Sequence, residues 1–202
     1  MLAANRELGK ESVKGESTIE SSILQATREW LERFVIAHDI CPFAGREFRR
    51  GAIRYAIAES GELEDCLHEL AAECRRLDEQ PSIATTLLIL PRGVADFDDY
   101  LELLSLAEAL LDALGYVGVY QLASFHPDYV FDGVTEEDPA NHTNRSPYPM
   151  LHLLREGELE RALRHHPDPE GIPERNVALL REPDSLALTA AKAFTRPAWP
   201  RQ

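Results

Sequence analysis

Between Ile53 and Ala123 the hydrophobic period switches from strand to helix and back, twice over, and few folds accept that alternation. Ile53-Arg54-Tyr55-Ala56-Ile57 alternates as a strand, and Leu63, Cys66, Leu67, Leu70, Cys74 and Leu77 then recur at helical spacing. The run from Ile83 to Leu90 is apolar and short, as a buried strand would be. Asp96 is a good N-cap for a helix carrying Phe97, Leu101, Leu104, Leu111 and Leu114, with Gly115 closing it, and Val117 to Ala123 reads as the third strand. Strand–helix–strand–helix–strand with short connections requires parallel pairing and right-handed crossovers, so the centre is predicted to be α/β.

The flanks extend this frame. Ser17 with Glu20 forms a capping box, and Ile19, Ile23, Trp30, Leu31 and Phe34 mark a first helix ending before Cys41-Pro42. Residues 124–149 show no period and hold Pro127, Gly133, Pro139, Pro147 and Pro149, which reads as a long loop; such loops often carry function. Met150 to Leu154 is a fourth strand, Glu158 to His165 a short helix, HHPDPEGIPERN a proline-broken loop, and Ser185 to Phe194 a last helix. The expected fold is a single α/β domain over 17–182, preceded by a frayed tail over 1–16 and followed by a C-terminal helix and tail over 183–202. Its sheet is expected to be mostly parallel, with about four strands flanked by helices and the polar loop at the strand carboxyl ends. A domain of this size buries roughly 70% of its unfolded surface, enough for a core without metals or disulfides.

Composition removes several classes of function. Hydrophobic residues make up 44% of the chain, too many for a disordered protein, and no apolar run approaches the roughly 20 residues of a membrane span. Three cysteines do not make a disulfide framework, and the first residues lack the apolar stretch of a secretory signal, so a cytoplasmic setting is expected. A net charge of -14 opposes binding to nucleic acid or an anionic membrane surface. The charge is uneven: residues 59–112 carry 14 acidic and 3 basic side chains. Of 21 cations only Lys10, Lys14 and Lys192 are lysines, so almost every cation is an arginine fork suited to carboxylate or phosphate.

Ligands of open parallel sheets sit beyond the strand carboxyl ends. There the sequence places Glu59-Ser60-Gly61, Pro91-Arg92-Gly93 and Ser124 to Tyr129, joined by Arg155-Glu156 if the fourth strand is parallel. The loop adds Asn141, Thr143, Asn144, Arg145, Ser146 and Tyr148 within eight residues, a density of donors that ordinary connections do not need.

CPFA at 41–44, QLASFHPDYVF at 121–131, NRSPYPMLHLLRE at 144–156 and IPERN at 172–176 resemble the signature segments of DUF1415, a family of uncharacterised bacterial proteins. The resemblance runs from about residue 28 to 182 and implies no activity. The chain departs from the pattern at Asp39, where Asn is expected.

The chemistry therefore rests on the residues. Arg145 with Thr143, Asn144 and Ser146 offers a fork and neutral donors to a small anion, or these groups only form turns that hold the loop. His126, one or two residues past a strand end and followed by Asp128, is a candidate general base or a structural histidine. His152 shares strand parity with Met150 and Leu154 and reads as a core histidine. Cys41 is a candidate reactive thiol, with Arg46, Arg49 and Arg50 close behind, or a small apolar side chain. Arg175 and Asn176 close over a ligand or cap the sheet. His126, His142 and His152 lack metal-ligand spacing, and GxGxxG and GxxxxGK[ST] are absent, so neither metal nor cofactor is expected. The leading expectation is a cytoplasmic enzyme acting on a small anionic metabolite, Arg145 and Arg155 holding the anion and His126 moving the proton. Two alternatives stand beside it: a non-catalytic binding or assembly module using the 124–156 loop, and a single-thiol redox protein using Cys41.

Overall fold

Four strands form one sheet in a computed structural model that describes residues 18–194; the expected Ser17 cap and both expected tails, over 1–16 and 195–202, lie outside those residues. The strands are β1 (Ile53–Ile57), β2 (Thr85–Ile89), β3 (Tyr120–Phe125) and β4 (Met150–Arg155), in the order β1-β2-β4-β3. The helices are α1 (18–36, its last turns over Leu31–Ile36 widened), α2 (Ala44–Arg49), α3 (Leu63–Glu79), α4 (Phe97–Ala113), α5 (Glu156–His165), α6 (Ile172–Arg181) and α7 (Leu186–Phe194), with a short 3-10 helix over Pro139–Thr143.

β1 and β2 pair in parallel through α3, as the alternation of periods requires. The expectation of a mostly parallel sheet is corrected at β4, which runs antiparallel to both its neighbours, so two of the three pairings are antiparallel. Phe125 at the end of β3 faces Met150 at the start of β4, so the connection between them closes like an enlarged hairpin and needs no crossover. α4 returns the chain to a β3 parallel to β2 but one position away, and β4 fills the gap. Its composition suits that place, since Met150, Leu151 and Leu153 are fully buried there. β4 therefore ends where β2 and β3 begin, with Arg155 opposite Tyr120.

Helices cover both faces. Leu88 of β2 and Leu151 and Leu153 of β4 pack against Leu70, Cys74 and Leu77 of α3 and Tyr100, Leu103 and Ala107 of α4. On the other face Leu87, Ile89 and Met150 meet Ile23, Trp30 and Phe34 of α1, Leu180 of α6, and Ala187 and Ala191 of α7. Thus α7, expected beyond the end of the domain at 182, buries its small residues in the same core as α1.

Local rules explain the boundaries. Asp96 accepts the Asp98 amide at 2.9 Å as the N-cap of α4, and Gly115 takes the left-handed conformation (φ 79°) that ends it. β3 starts three residues later than expected, because a turn over 116–119 with Gly118 at φ 76° precedes it. The segment read as a proline-broken loop, 165–176, contains the first half of α6; Pro173 sits in its first turn, where a missing N–H costs nothing. α2 was not legible in the sequence at all.

Candidate functional site

The polar side chains of the long loop bind the loop to itself and to the sheet. Asn144 donates to the Ser124 carbonyl (3.0 Å) while its own carbonyl accepts the His126 amide, tying the loop to the end of β3. Arg145 donates from Nε to the Tyr129 carbonyl (3.0 Å) and from a terminal nitrogen to that of Glu136 (2.8 Å); its own carbonyl accepts the indole N–H of Trp30. Ser146 donates to the Tyr148 carbonyl, and Asn141 braces three backbone groups between Phe131 and Glu136. Tyr148 is partly buried against the α1 face of the sheet. A proline-rich stretch with few ladder bonds must satisfy its backbone this way or leave it unpaired.

His126 is fully buried on the α4 face, its ring 5.2 Å from those of both Phe97 and Tyr100. Its Nδ1 accepts the Asp128 amide (3.0 Å), which fixes the proton on Nε2, and that N–H donates to the Val94 carbonyl (3.1 Å). Burial lowers its pKa, so the ring is neutral, with both nitrogens already bonded to backbone. Cys41 lies across the sheet, among the partly buried residues that pack on the α1 face. Burial pushes its thiol up, a stronger effect than the lowering by the Phe43 and Ala44 amides that point at it. In native protein at neutral pH, Cys41 will react with iodoacetamide more slowly than an unstructured thiol and will recover the ordinary rate in denaturant; mass spectrometry of the alkylated peptide reads both.

Arg155, a candidate for the anion, is at the opposite end of the sheet from Arg145 and caps the end of α3 with donors to the carbonyls of Leu77, Gln80 and Ile83. Arg92 donates to the Glu59 carbonyl at 2.7 Å, locking the loop after β2 onto the loop after β1. Arg175 donates to the carboxylate and carbonyl of Asp39, and Asn176 to the Ile40 carbonyl (2.8 Å), pinning the turn before Cys41. Asp39 sits at φ 55°, a left-handed position that Asn and Asp tolerate alike, which accounts for the departure from the family pattern there. Cys41, His126, Arg145 and Arg155 therefore do not share one hollow.

Two further histidines carry a pH signature. Burial pushes His142 and His152 down to about 4; Arg145 and Lys192 add to the effect at His142, whose buried Nδ1 has no partner among the described residues, while His152 Nε2 meets the Thr85 hydroxyl at 2.7 Å. Below the unfolded value near 6.5 the unfolded chain takes up more protons than the folded one, so stability falls as pH drops from about 6.5 towards 4. The expected loss is on the order of 2–3 kcal/mol for each ring by pH 4. Urea denaturation across this window measures it, and His142→Leu will flatten the profile.

Two contiguous clefts follow the outer edge of β1. The larger, about 520 Å³, is lined by Glu20 and Leu24 of α1, Arg54 to Ile57 of β1, Glu59, and Glu69 and Glu73 of α3. The smaller, about 270 Å³, continues past Leu24, Arg54 and Tyr55 to Arg28 and Ile83. Of the polar groups that the sequence places beyond the strand carboxyl ends, Glu59 alone lines the larger cleft; His126, Cys41 and the candidate anion-binding residues line neither. Beside the larger one, Arg54 grips the buried Glu73 with two bonds (2.6 and 2.9 Å), and Arg76 adds a third at 3.3 Å. The signal for this pair was present: Glu73 falls on the apolar stripe of α3 between Leu70 and Leu77, where a carboxylate needs a buried partner. Glu59 was legible only by its place after β1, and Glu69 gave no signal, since it looks like any solvated charge. Among the described residues, no group of three or more His, Cys, Asp or Glu is placed to hold a metal ion, and no helix is long and apolar enough to cross a membrane.

Helices on both faces of a mixed four-stranded sheet, with a polar groove along one edge strand, define an α/β protein of three layers. The DUF1415 family, described as a protein of unknown function, has a family model that matches residues 22–189, and the chain belongs to that family. No curated protein and no solved structure matches it.

Proposed function

We propose that this protein is a non-catalytic binding module, in which the long loop stiffens the carboxyl end of the sheet and the edge of β1 meets the ligand. One observation carries the reading: the clefts run along β1, while His126 and Cys41 are held inside opposite faces of the sheet. Acid–base work on an anionic metabolite needs a free imidazole nitrogen near a guanidinium with donors to offer. His126 has both nitrogens bonded, and Arg145 and Arg155 meet backbone carbonyls at opposite ends of the sheet. Three unpaired cysteines support a cytoplasmic setting, and the net charge of -14 supports a partner that is neither nucleic acid nor anionic lipid.

The test uses thermal melts of native protein and Arg145→Ala, each with and without millimolar phosphate or small carboxylates. Arg145→Ala should melt lower in every buffer, with neither form shifted by the anions. Anion-dependent stabilisation of native protein that vanishes in Arg145→Ala would overturn the reading in favour of a metabolite enzyme.

A further inference from the structure

We infer that the outer edge of β1 docks an extended, basic peptide segment of a partner protein as a fifth strand, an inference that rests on the binding reading above. Among the described residues β1 is outermost in the sheet and pairs only with β2. Ala58 donates its amide to Ile89 and the Ala52 carbonyl accepts from Ala84, so the even-numbered residues bond inward. In a parallel ladder alternate residues serve the same neighbour, which leaves the N–H and C=O groups of Ile53, Tyr55 and Ile57 pointing out into the clefts. A natural sheet protects such an edge with bulges, prolines or a covering element; among the described residues a groove is left here instead.

The shape of the groove selects the occupant. The two clefts share Leu24, Arg54 and Tyr55, so together they extend along the whole strand, about 17 Å at roughly 3.3 Å per residue. α1 stands on one side and α3 on the other, so a single bare strand fits between them. A second copy of this chain, whose β1 is flanked by the same two helices, would bring wall against wall.

Charge selects the chemistry. The larger cleft sets four carboxylates, Glu20, Glu59, Glu69 and Glu73, against Arg54, and that guanidinium is already bonded to Glu73. Glu20, Glu59 and Glu69 have no ion pair among the described residues. A guest strand sends alternate side chains to the two walls, so one set meets Leu24 and Tyr55 on the α1 side, with Glu20 beside them, and a basic set meets Glu69 and Glu73 on the α3 side. Main-chain bonds supply affinity in this mode, and the alternate side chains supply specificity.

The probe is a fluorescein-labelled peptide of alternating valine and lysine, titrated into the full chain and read by anisotropy. Saturable binding is expected, weakened about tenfold or more by high salt and by Glu20→Lys with Glu59→Lys, both exposed positions remote from the core. Methylating alternate peptide amides should abolish it, as should Tyr55→Pro, which removes an outward donor at an edge position where proline is tolerated. Circular dichroism checks that each variant folds, and the charge variant and methylated peptide carry the test if Tyr55→Pro does not. The inference is overturned if the peptide fails to bind, or if binding ignores both the charge reversal and the methylation. A dimer seen by sedimentation and dissolved by Glu20→Lys with Glu59→Lys overturns it too, since the occupant is then a second copy. None of these results moves the anion melts described above, so the two readings fail separately.

Discussion

Gly93→Ala is expected to destabilise the protein by about 3–4 kcal/mol, lowering the melting temperature by roughly 10 °C. Two effects add. Gly93 has φ 85°, which an alanine adopts only at a cost of about 1 kcal/mol, and a methyl built on it would overlap the carbonyl of Gly61. That neighbour is backbone, so it yields only if the loop after β1 moves, and Arg92 holds that loop through Glu59. Gly118→Ala isolates the first effect, for it shares the positive φ (76°) but has nothing within 4 Å of the added methyl; its cost should be about 1 kcal/mol. Equal melting points for the two variants would remove the close approach as the cause. The same contact explains why the crevice expected beyond the carboxyl ends of β1 and β2 is closed: two loops meet there backbone to backbone.

Arg155→Ala is expected to cost about 3 kcal/mol at neutral pH. The guanidinium satisfies the carbonyls of Leu77, Gln80 and Ile83 where α3 ends, and it lies 5.8 Å over the Tyr120 ring, whose hydroxyl bonds Asp78 at 2.6 Å. Charged donors at a helix C-terminus also oppose its negative dipole end. Removing the fork strips the partly buried carbonyls of Leu77 and Ile83 of this donor, while that of Gln80 keeps the Ile83 amide. Arg155→Lys should recover less than half of the loss, because one ammonium cannot meet carbonyls that a planar fork spans. Chemical denaturation measures both variants; full recovery by lysine would reduce the role of Arg155 to its charge alone.

These two residues show where sequence reading succeeds and where it stops. Arg92-Gly93 and Arg155 were both singled out as chemistry, and both hold the frame. A guanidinium that binds an anion and one that caps a helix are the same side chain, separated only by what stands opposite. For Arg155 that depends on the direction of β4, and Met150 to Leu154 is equally apolar read in either direction. His126 followed the same course: its spacing from a strand end was legible, but the Val94 carbonyl that occupies its Nε2 comes from a loop 32 residues earlier. Glu59 was marked only by its place after β1 and Glu69 not at all, because both matter only beside a strand that ends the described sheet.

What the sequence determined by itself is local: the alternation of periods that makes β1, α3, β2 and α4, the Asp96 cap, the Gly115 stop, and the acidic surplus over 59–112. Each rests on interactions within a turn or two of helix or between neighbouring residues, which spacing encodes directly. Tertiary structure alone decided that β4 enters antiparallel between β2 and β3, that the loop's donors bond back to its own backbone, and that β1 is an open edge among the described residues. Those outcomes depend on which distant backbone groups find each other, and every residue offers the same N–H and C=O whatever its side chain.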